Sequence, residues 1–423
     1  MSGVGETRRD DFWKFFTGQA LSALGTSFTQ FALPLLVYEL TRSPTTLAVS
    51  FASGVLPYLL FGLVGGAWAD RADRKRLMIR TDLLRAAVLA SVPILYHLDA
   101  LPLWWIYAAG FVTTTLGILF ESAEFAAIPS LVSGDDLVEA NGRISASFTA
   151  ATLLGPPLAG LLAGLMPVAN VLGLDALSFV VSALSLALVR ASFNPRDAEG
   201  RERRSLRTDV VEGLAYVWRH PVLRNISIMM ALVNFVAVVV VVQLVLFAKE
   251  RLGATDFQYG LLVSAGSGGV IVLSLAAGPL RRRLPFGVVA LGALALSGTL
   301  TVAFALAPGY WVALPLWAAI PGLATLFNIN TASLRQAIVP NHLLGRIISV
   351  ARVAAASATP LGALLGGWLV ARAGVTFTYV LSGALTVLIA AVFAFSPLGH
   401  AEDYLEREEL RPAAEPEPEP VAT

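Results

Sequence analysis

Two carboxylic acids, Glu121 and Glu124, stand three residues apart in a long apolar stretch, and they are the residues of this chain best suited to proton chemistry. At that spacing they share one face of a helix. Desolvation and mutual repulsion disfavour charge on neighbouring buried carboxylates, so one of the two would hold a proton near neutral pH. This pattern predicts a proton carrier or a gate, and a plain position at the water interface, paired with an Arg, explains it equally well.

Neutral polar residues form a second set of candidates, because they lie in apolar segments where polar groups are costly. Four of them fall in one stripe at 100° per residue along the first apolar segment, and they either form interhelical hydrogen bonds or line a cavity. These are Gln19, Ser22, Thr26 and Gln30. Three more lie in later segments, namely Asn234, Gln243 and Asn328. A mostly neutral set predicts a substrate that is largely apolar with a few hydrogen-bonding groups.

Several chemistries are absent from the sequence. The chain has no Cys, and its four His fall near predicted loops or helix ends, so we expect neither a metal site nor a cofactor. An ATP-driven pump needs a P-loop in which Lys follows Gly, and no Lys of this chain does. We therefore expect neither an enzyme nor a nucleic-acid-binding protein, and any transport must run on a gradient or downhill.

The composition is that of a polytopic membrane protein: 56% of the residues are hydrophobic, 14% are charged and the mean hydropathy is +0.71. At roughly 35 residues per span and loop, the length allows about twelve helices of about 20 apolar residues each. The predicted fold class is all-α, with two six-helix halves at 1–189 and 226–397, a cytoplasmic linker at 190–225 and a disordered acidic, Pro-rich tail at 398–423. The predicted spans are 13–38, 46–69, 77–96, a fourth ending near 125, 144–165, 172–189, 226–248, 257–280, 286–306, 311–330, 347–370 and 375–395.

The basic residues set the orientation, because Lys and Arg concentrate on the cytoplasmic side of membrane proteins. All of them fall on the side shared by the two termini and the linker, except Arg42, Lys249, Arg251 and Arg372. The sequence therefore predicts a multi-pass protein of the inner or plasma membrane with both termini in the cytoplasm.

A charged turn between the second and third predicted spans resembles the loop between helices 2 and 3 of the major facilitator superfamily. Its residues are Gly66, Asp70, Arg71, Arg74, Lys75 and Arg76. The resemblance implies a loop that shifts when the two halves rock, in which Asp70 holds the outward-open state by contacting the start of helix 11.

The fifth span carries a run that resembles the Gly-Pro-x-x-Gly signature of the antiporters of that superfamily, formed by Gly155, Pro156, Pro157 and Gly160. Pro removes a backbone hydrogen bond and Gly allows close helix contact, so this helix is predicted to be bent and tightly packed.

The two halves repeat one another. The interval from Arg143 to Pro157 in the first half equals that from Arg346 to Pro360 in the second, and Gly precedes both Arg residues. Two parallel six-helix repeats with a substrate site between them are the architecture that the resemblance implies.

Across nearly the whole chain, the order of motifs resembles the drug:proton antiporter branch that includes macrolide efflux pumps and siderophore (enterobactin-type) exporters. The residues are those at 33–41, the charged turn, 175–179, 212–213, 220–221 and 345–346. Family members often carry an acid on helix 1 after Leu-Gly, where this chain has Thr26. That difference directs attention to Glu121 and Glu124, for which family architecture offers Arg335 and Arg352 as gate partners.

The resemblance implies a monomeric, proton-coupled exporter of an amphiphilic small molecule. Two alternatives stay open: an importer of a small polar metabolite, and a non-transporting membrane sensor or scaffold on the same fold.

Overall fold

The computed structural model describes residues 2–62, 72–132, 136–194, 215, 217–339, 341–396 and 398, and among these residues 2–8, 286, 337 and 341–356 are described by their backbone alone. Gly66, Asp70 and Arg71 therefore lie outside the described residues, as do most of the predicted linker, nearly all of the predicted tail and the side chain of Arg352.

The described part of the chain forms twelve long helices, and the predicted all-α fold class is confirmed. Ten of the helices are long and apolar enough to cross a membrane by composition, while α3 and α11 fall outside that group. The helices are α1 Ser2–Thr41, α2 Pro44–Phe61, α3 Arg74–His97, α4 Leu103–Leu131, α5 Leu137–Ala163, α6 Val168–Leu188, α7 Pro221–Val242, α8 Asp256–Arg281, α9 Phe286–Ala305, α10 Tyr310–Ile338, α11 Asn341–Ala373 and α12 Val375–Ala394.

Local caps set several of the helix ends. Ser43 precedes Pro44 and accepts a hydrogen bond from the backbone N–H of Thr46, which starts α2 immediately after α1 ends. Asp73 caps α3 in the same way. Short connections of this kind alternate the helix directions, so the bundle has two ends. We call the end where α6 ends and α7 begins the linker end, and the end where α1 ends and α2 begins the distal end.

The packing of helices within the first six repeats within the last six. The pairs α1–α6, α3–α6, α3–α4, α1–α5 and α2–α4 have counterparts in α7–α12, α9–α12, α9–α10, α7–α11 and α8–α10. The most extensive contacts between the halves are those of α5 with α8 and of α11 with α2, and these two pairs are also counterparts. The repeat seen in the sequence is therefore a repeat of packing.

An aromatic cluster fills the distal part of the second half. Phe247 stacks on Tyr379 with ring centroids 4.8 Å apart, and Phe304 packs against both Phe247 and Trp317. Phe247 begins a π-helical turn, Phe247–Arg251, which follows the end of α7. The hydroxyl of Tyr379 donates to the carbonyl of Val240 at 2.7 Å. This cluster fixes the end of α7 where the two halves meet.

Candidate functional site

The two halves are joined toward the distal end. Gln243 donates to the carbonyl of Pro44 at 2.8 Å, and Ser264 donates to the carbonyl of Leu153. Toward the linker end the contact is lost: between residues 141 and 150, α5 is exposed at all but two positions. Among the described residues, the halves therefore meet at the distal end and part toward the linker end.

A cavity of about 710 Å³ lies between the halves. Phe31 of α1 and Tyr259 of α8 pack with ring centroids 4.9 Å apart, and both line it. The lining is mostly apolar and aromatic with a few polar groups, as is typical of small-molecule sites. The helices α1, α2, α3, α4, α5, α6, α7, α8 and α10 all contribute to it.

One polar donor in the cavity wall has no partner in the described structure. The indole Nε1 of Trp317 is buried, lies beside Gly266 and makes no hydrogen bond with any described residue. A buried donor of this kind is costly to leave unpaired. It is therefore available to a hydrogen-bond acceptor on a bound molecule.

The candidate residues predicted from the sequence divide into two groups. Thr26, Gln30 and Glu121 line the cavity. Two of the others form hydrogen bonds instead: Gln19 donates to Ser182 of α6 at 3.2 Å, and Gln243 donates to the carbonyl of Pro44. The remaining three do not line the cavity, namely Ser22, Asn234 and Asn328. The polar stripe of α1 therefore has two roles: Gln19, nearer the linker end, forms an interhelical hydrogen bond, and Thr26 and Gln30, farther along the helix, line the cavity.

The two acids of α4 have different surroundings. Glu121 is exposed in the cavity wall, while Glu124 is 8% exposed and its Oε1 has no hydrogen-bond partner among the described residues. Arg335 is also buried, and its guanidinium contacts the sulfur of Met230 at 3.3 Å. The described salt bridges do not include one between Arg335 and either acid, so the predicted gate is not formed in this state.

Three charged residues of α3 and α6 belong to the site, although the cavity set predicted from sequence omitted them. Asp82 is 0% exposed, and Arg85 and Asp175 line the cavity. Asp82 and Arg85 are three residues apart and share a face of α3, and their closest oxygen and nitrogen are 3.7 Å apart. The signal that identifies them is the cost of ionisable side chains in an apolar helix. Asp175, near the start of α6, is buried at 1% exposure.

Asp175 is held as a carboxylate acceptor. Thr29 of α1 donates to its Oδ2 at 2.5 Å, and Ser178 donates to its Oδ1 at 3.0 Å. Gly25 of α1 leaves room for this contact, because a Cβ there would lie 2.6 Å from the Asp175 Oδ1. The acid is thereby fixed against helix 1, close to Thr26.

Arg85 lies at the centre of this group. Its guanidinium carbon is 3.9 Å from the centre of the Phe179 ring and 5.9 Å from that of Phe120, which is cation–π geometry. Gly117 of α4 lies beside the guanidinium, and a Cβ there would be at an ordinary van der Waals distance of 3.8 Å from the Arg85 Nη2. Its Nε has no hydrogen-bond partner among the described residues.

The glycines of the fifth helix make two kinds of contact. A Cβ on Gly155 would overlap the side chain of Ser27 on α1, and one on Gly160 would overlap the backbone of Asp256 on α8. Gly260 of α8 faces back in the same way onto the backbone of Pro156. The run from Gly155 to Gly160, with Pro156 and Pro157 inside it, thus packs α5 tightly on both neighbours.

Basic residues of the charged turn fasten the linker end of the first half. Arg74 donates to the carbonyls of Ala126 and Phe193, both at 3.2 Å, and Lys75 donates to the carbonyl of Val189 at the end of α6. Cations stabilise a helix C-terminus in this way. Among the residues that the structure describes, the ion-pair partner of Arg76 is the nearby Asp73, at 3.6 Å.

Comparisons with known proteins agree over nearly the full length. Residues 2–421 match the family described as transmembrane secretion effector. The chain is 25% identical over 387 residues to macrolide efflux protein A of Streptococcus pyogenes, covering 90% of this chain and 94% of that protein. It is 28% identical over 412 residues to multidrug efflux pump Tap of Mycolicibacterium fortuitum, covering 92% and 97%.

Solved structures show the same fold at low sequence identity. A bacterial homologue of the human lysosomal transporter Spinster, in an inward-facing and unoccupied conformation, aligns with a TM-score of 0.72 at 13% identity, covering 95% of this chain and 98% of that one. A bacterial homologue of the iron transporter ferroportin, in an inward-facing state, aligns with a TM-score of 0.71 at 16% identity, covering 91% and 98%.

Proposed function

Since the chain belongs to the transmembrane secretion effector family of the major facilitator superfamily, we propose that it is a proton-driven exporter of amphiphilic small molecules of the macrolide kind. The observation that carries the proposal is the cavity between the halves, which is closed toward the distal end by Phe31 and Tyr259. Its volume falls in the usual range for small-molecule sites.

The lining favours an amphiphilic substrate. Aromatic rings from both halves offer apolar contact, Trp317 offers a hydrogen-bond donor and Glu121 offers a carboxyl group. A ligand with an extended apolar body, an acceptor group and a basic group matches these three features. An importer of a polar metabolite remains the second candidate, and the charged groups Arg85 and Asp175 in the wall are the observation that favours it.

Alternating access supplies the transport cycle. In this state the cavity leads toward the linker end, which we assign to the cytoplasm because the basic residues of the chain concentrate there. Closing that end would bring α4 toward α10, and Glu124 and Arg335 would then form the gate pair that is absent here. The protein would act as a monomer in the cell membrane.

The test is complementation in a host from which the chain has been deleted. Restoring the wild-type chain should restore resistance to erythromycin, a macrolide, and also any lost secretion of small molecules. Gly54 lines the cavity with no atom within 4 Å of a Cβ built on it, so Gly54→Trp should fill the cavity and abolish complementation.

The control is Gly292→Trp, because Gly292 is equally unobstructed but lies on α9, away from the cavity. That variant should complement like the wild type. Equal complementation by both Trp variants at equal membrane levels would contradict a transport path through this cavity.

A further inference from the structure

We propose that Asp82 is the residue that binds the driving proton and that Arg85 transmits its protonation state to the cavity. This inference rests on the proposed function, since it assigns a residue to the coupling ion. Asp82 does not line the cavity, and it lies in the bundle of the first six helices behind Arg85, which does.

The first step is the solvation of Asp82. Its side chain is 0% exposed, and neither carboxyl oxygen has a hydrogen-bond partner among the described residues. The nearest cationic atom is the Arg85 Nη1 at 3.7 Å, too far for a hydrogen bond. The Ser182 hydroxyl of α6 also faces the carboxyl group, as a neutral donor. An anion without water and without a charged donor at hydrogen-bond distance is very costly in an apolar interior, so the carboxyl group carries a proton in this state.

The second step is the charge balance around Arg85. The titratable groups that face Asp82 and Arg85 are Tyr58 of α2, Glu121 and Glu124 of α4 and Asp175 of α6, while α1 presents the uncharged Thr29 to Asp175. Hydroxyl groups of Thr29 and Ser178 lie at hydrogen-bond distance from the two carboxyl oxygens of Asp175, which favours its ionised form. Asp175 therefore balances the charge of Arg85 without any help from Asp82.

The third step is the change when the proton leaves. The O–H bond of Asp82 breaks, the electron pair stays on the carboxylate and the proton passes to water in the cavity, which leads to the linker end. The new anion needs a donor, and the Arg85 guanidinium, whose Nε is unpaired, has less than one ångström to move to reach hydrogen-bond distance.

The consequence lies in the cavity wall. When Arg85 turns to Asp82, it leaves the face of the Phe179 ring and withdraws a positive charge from the wall beside Glu121 and Asp175. The wall becomes more negative, which favours a basic substrate once the proton has been released. Proton and substrate thereby compete through Arg85, as antiport requires.

The test uses the full-length chain in proteoliposomes with radiolabelled erythromycin. Two readouts are needed: accumulation driven by an imposed pH gradient, and exchange of labelled for unlabelled drug without a gradient. Asp82→Asn should reduce gradient-driven accumulation to the level of protein-free liposomes and retain exchange. The control Asp99→Asn lies in the exposed connection after α3, at a positive φ that Asn also adopts, and it should retain both.

A second variant covers failure of Asp82→Asn to fold. Asp82→Ser also removes the titratable carboxyl group and leaves Arg85 in place, and it should likewise exchange drug without responding to a pH gradient. Infrared titration gives a direct readout: the carbonyl band of a buried protonated carboxyl should be present in the wild type and diminished in Asp82→Asn.

The outcomes separate the two proposals. If the wild type transports erythromycin with no response to a pH gradient, or does not transport it, the proposed function fails. If the wild type responds and Asp82→Asn responds equally, only the assignment of Asp82 fails, and coupling lost instead in Glu124→Gln would place the proton on α4.

Discussion

The contact between α5 and α8 allows a substitution whose effect is worked out from atomic positions. Gly260 faces the backbone of Pro156 and Pro157, and a Cβ built on it would lie 2.8 Å from the Pro156 carbonyl carbon and 3.0 Å from the Pro157 Cα. These are backbone atoms, so no rotamer change relieves the overlap. Gly260→Ala should therefore disfavour the state in which the halves meet at the distal end.

The magnitude follows from comparison with a matched glycine on the same helix. Overpacking a close contact costs about 1 to 3 kcal/mol, and Gly→Ala in a helix gains about 1 kcal/mol in propensity wherever it is made. Gly278→Ala shares that gain, but no atom lies within 4 Å of its Cβ. The difference between the two variants should therefore be about 1 to 3 kcal/mol, which shifts a two-state balance by about 5- to 150-fold.

Pulsed electron paramagnetic resonance measures this balance. The chain has no Cys, so spin labels placed at Leu98→Cys and Leu306→Cys would be the only ones. Both positions are exposed at the distal end, in opposite halves. Gly260→Ala should add a longer distance to the distribution, and Gly278→Ala should match the unsubstituted chain. An unchanged distribution in Gly260→Ala would refute the reasoning that this contact seals the distal end.

Three further predictions concern other parts of the bundle. In Gly155→Leu the new side chain would overlap Ser27, so proteoliposomes carrying this variant should lose either transport or the ability to hold an imposed pH gradient. Normal behaviour in both assays would exclude tight packing as the role of Gly155. Asp70→Asn should slow transport with expression retained, because the family resemblance places Asp70 at a helix N-terminus in one state; wild-type rates would count against it. Glu124→Gln and Arg335→Ala should impair exchange to a similar degree, since each leaves the other member of the closed gate buried without its partner, at a cost of about 3 to 5 kcal/mol; clearly different effects of the two substitutions would show that the two residues do not form a pair.

The sequence predicts the helices well because each is a long apolar segment bounded by charge, Pro or Gly. The start of α2 at Pro44 and the end of α9 at Ala305 lie within two residues of the predicted limits. At the linker end several helices run farther than predicted, among them α4, α5 and α10. Helix α10 continues to Ile338, because its backbone stays helical past the end of the apolar segment that set the predicted limit.

The cavity was harder to predict, because helix rotation decides which polar residue faces it. Thr26 and Gln30 line it, whereas Gln243 lies where α7 ends and bonds to the start of α2. No periodicity in one helix reveals that contact. Asp175 shows the same limit, because only its partners Thr29 and Ser178 distinguish a buried acid from an interfacial one.

The most direct test of the account is whether a pH gradient drives drug transport by the purified chain. Proteoliposomes with an acidic lumen should accumulate erythromycin beyond protein-free liposomes and beyond proteoliposomes carrying Gly54→Trp, and a protonophore should abolish the excess. Both controls correct for passive trapping of a basic drug. Accumulation equal to these controls, or an excess that persists with the protonophore, would contradict proton-driven export through the cavity between the halves.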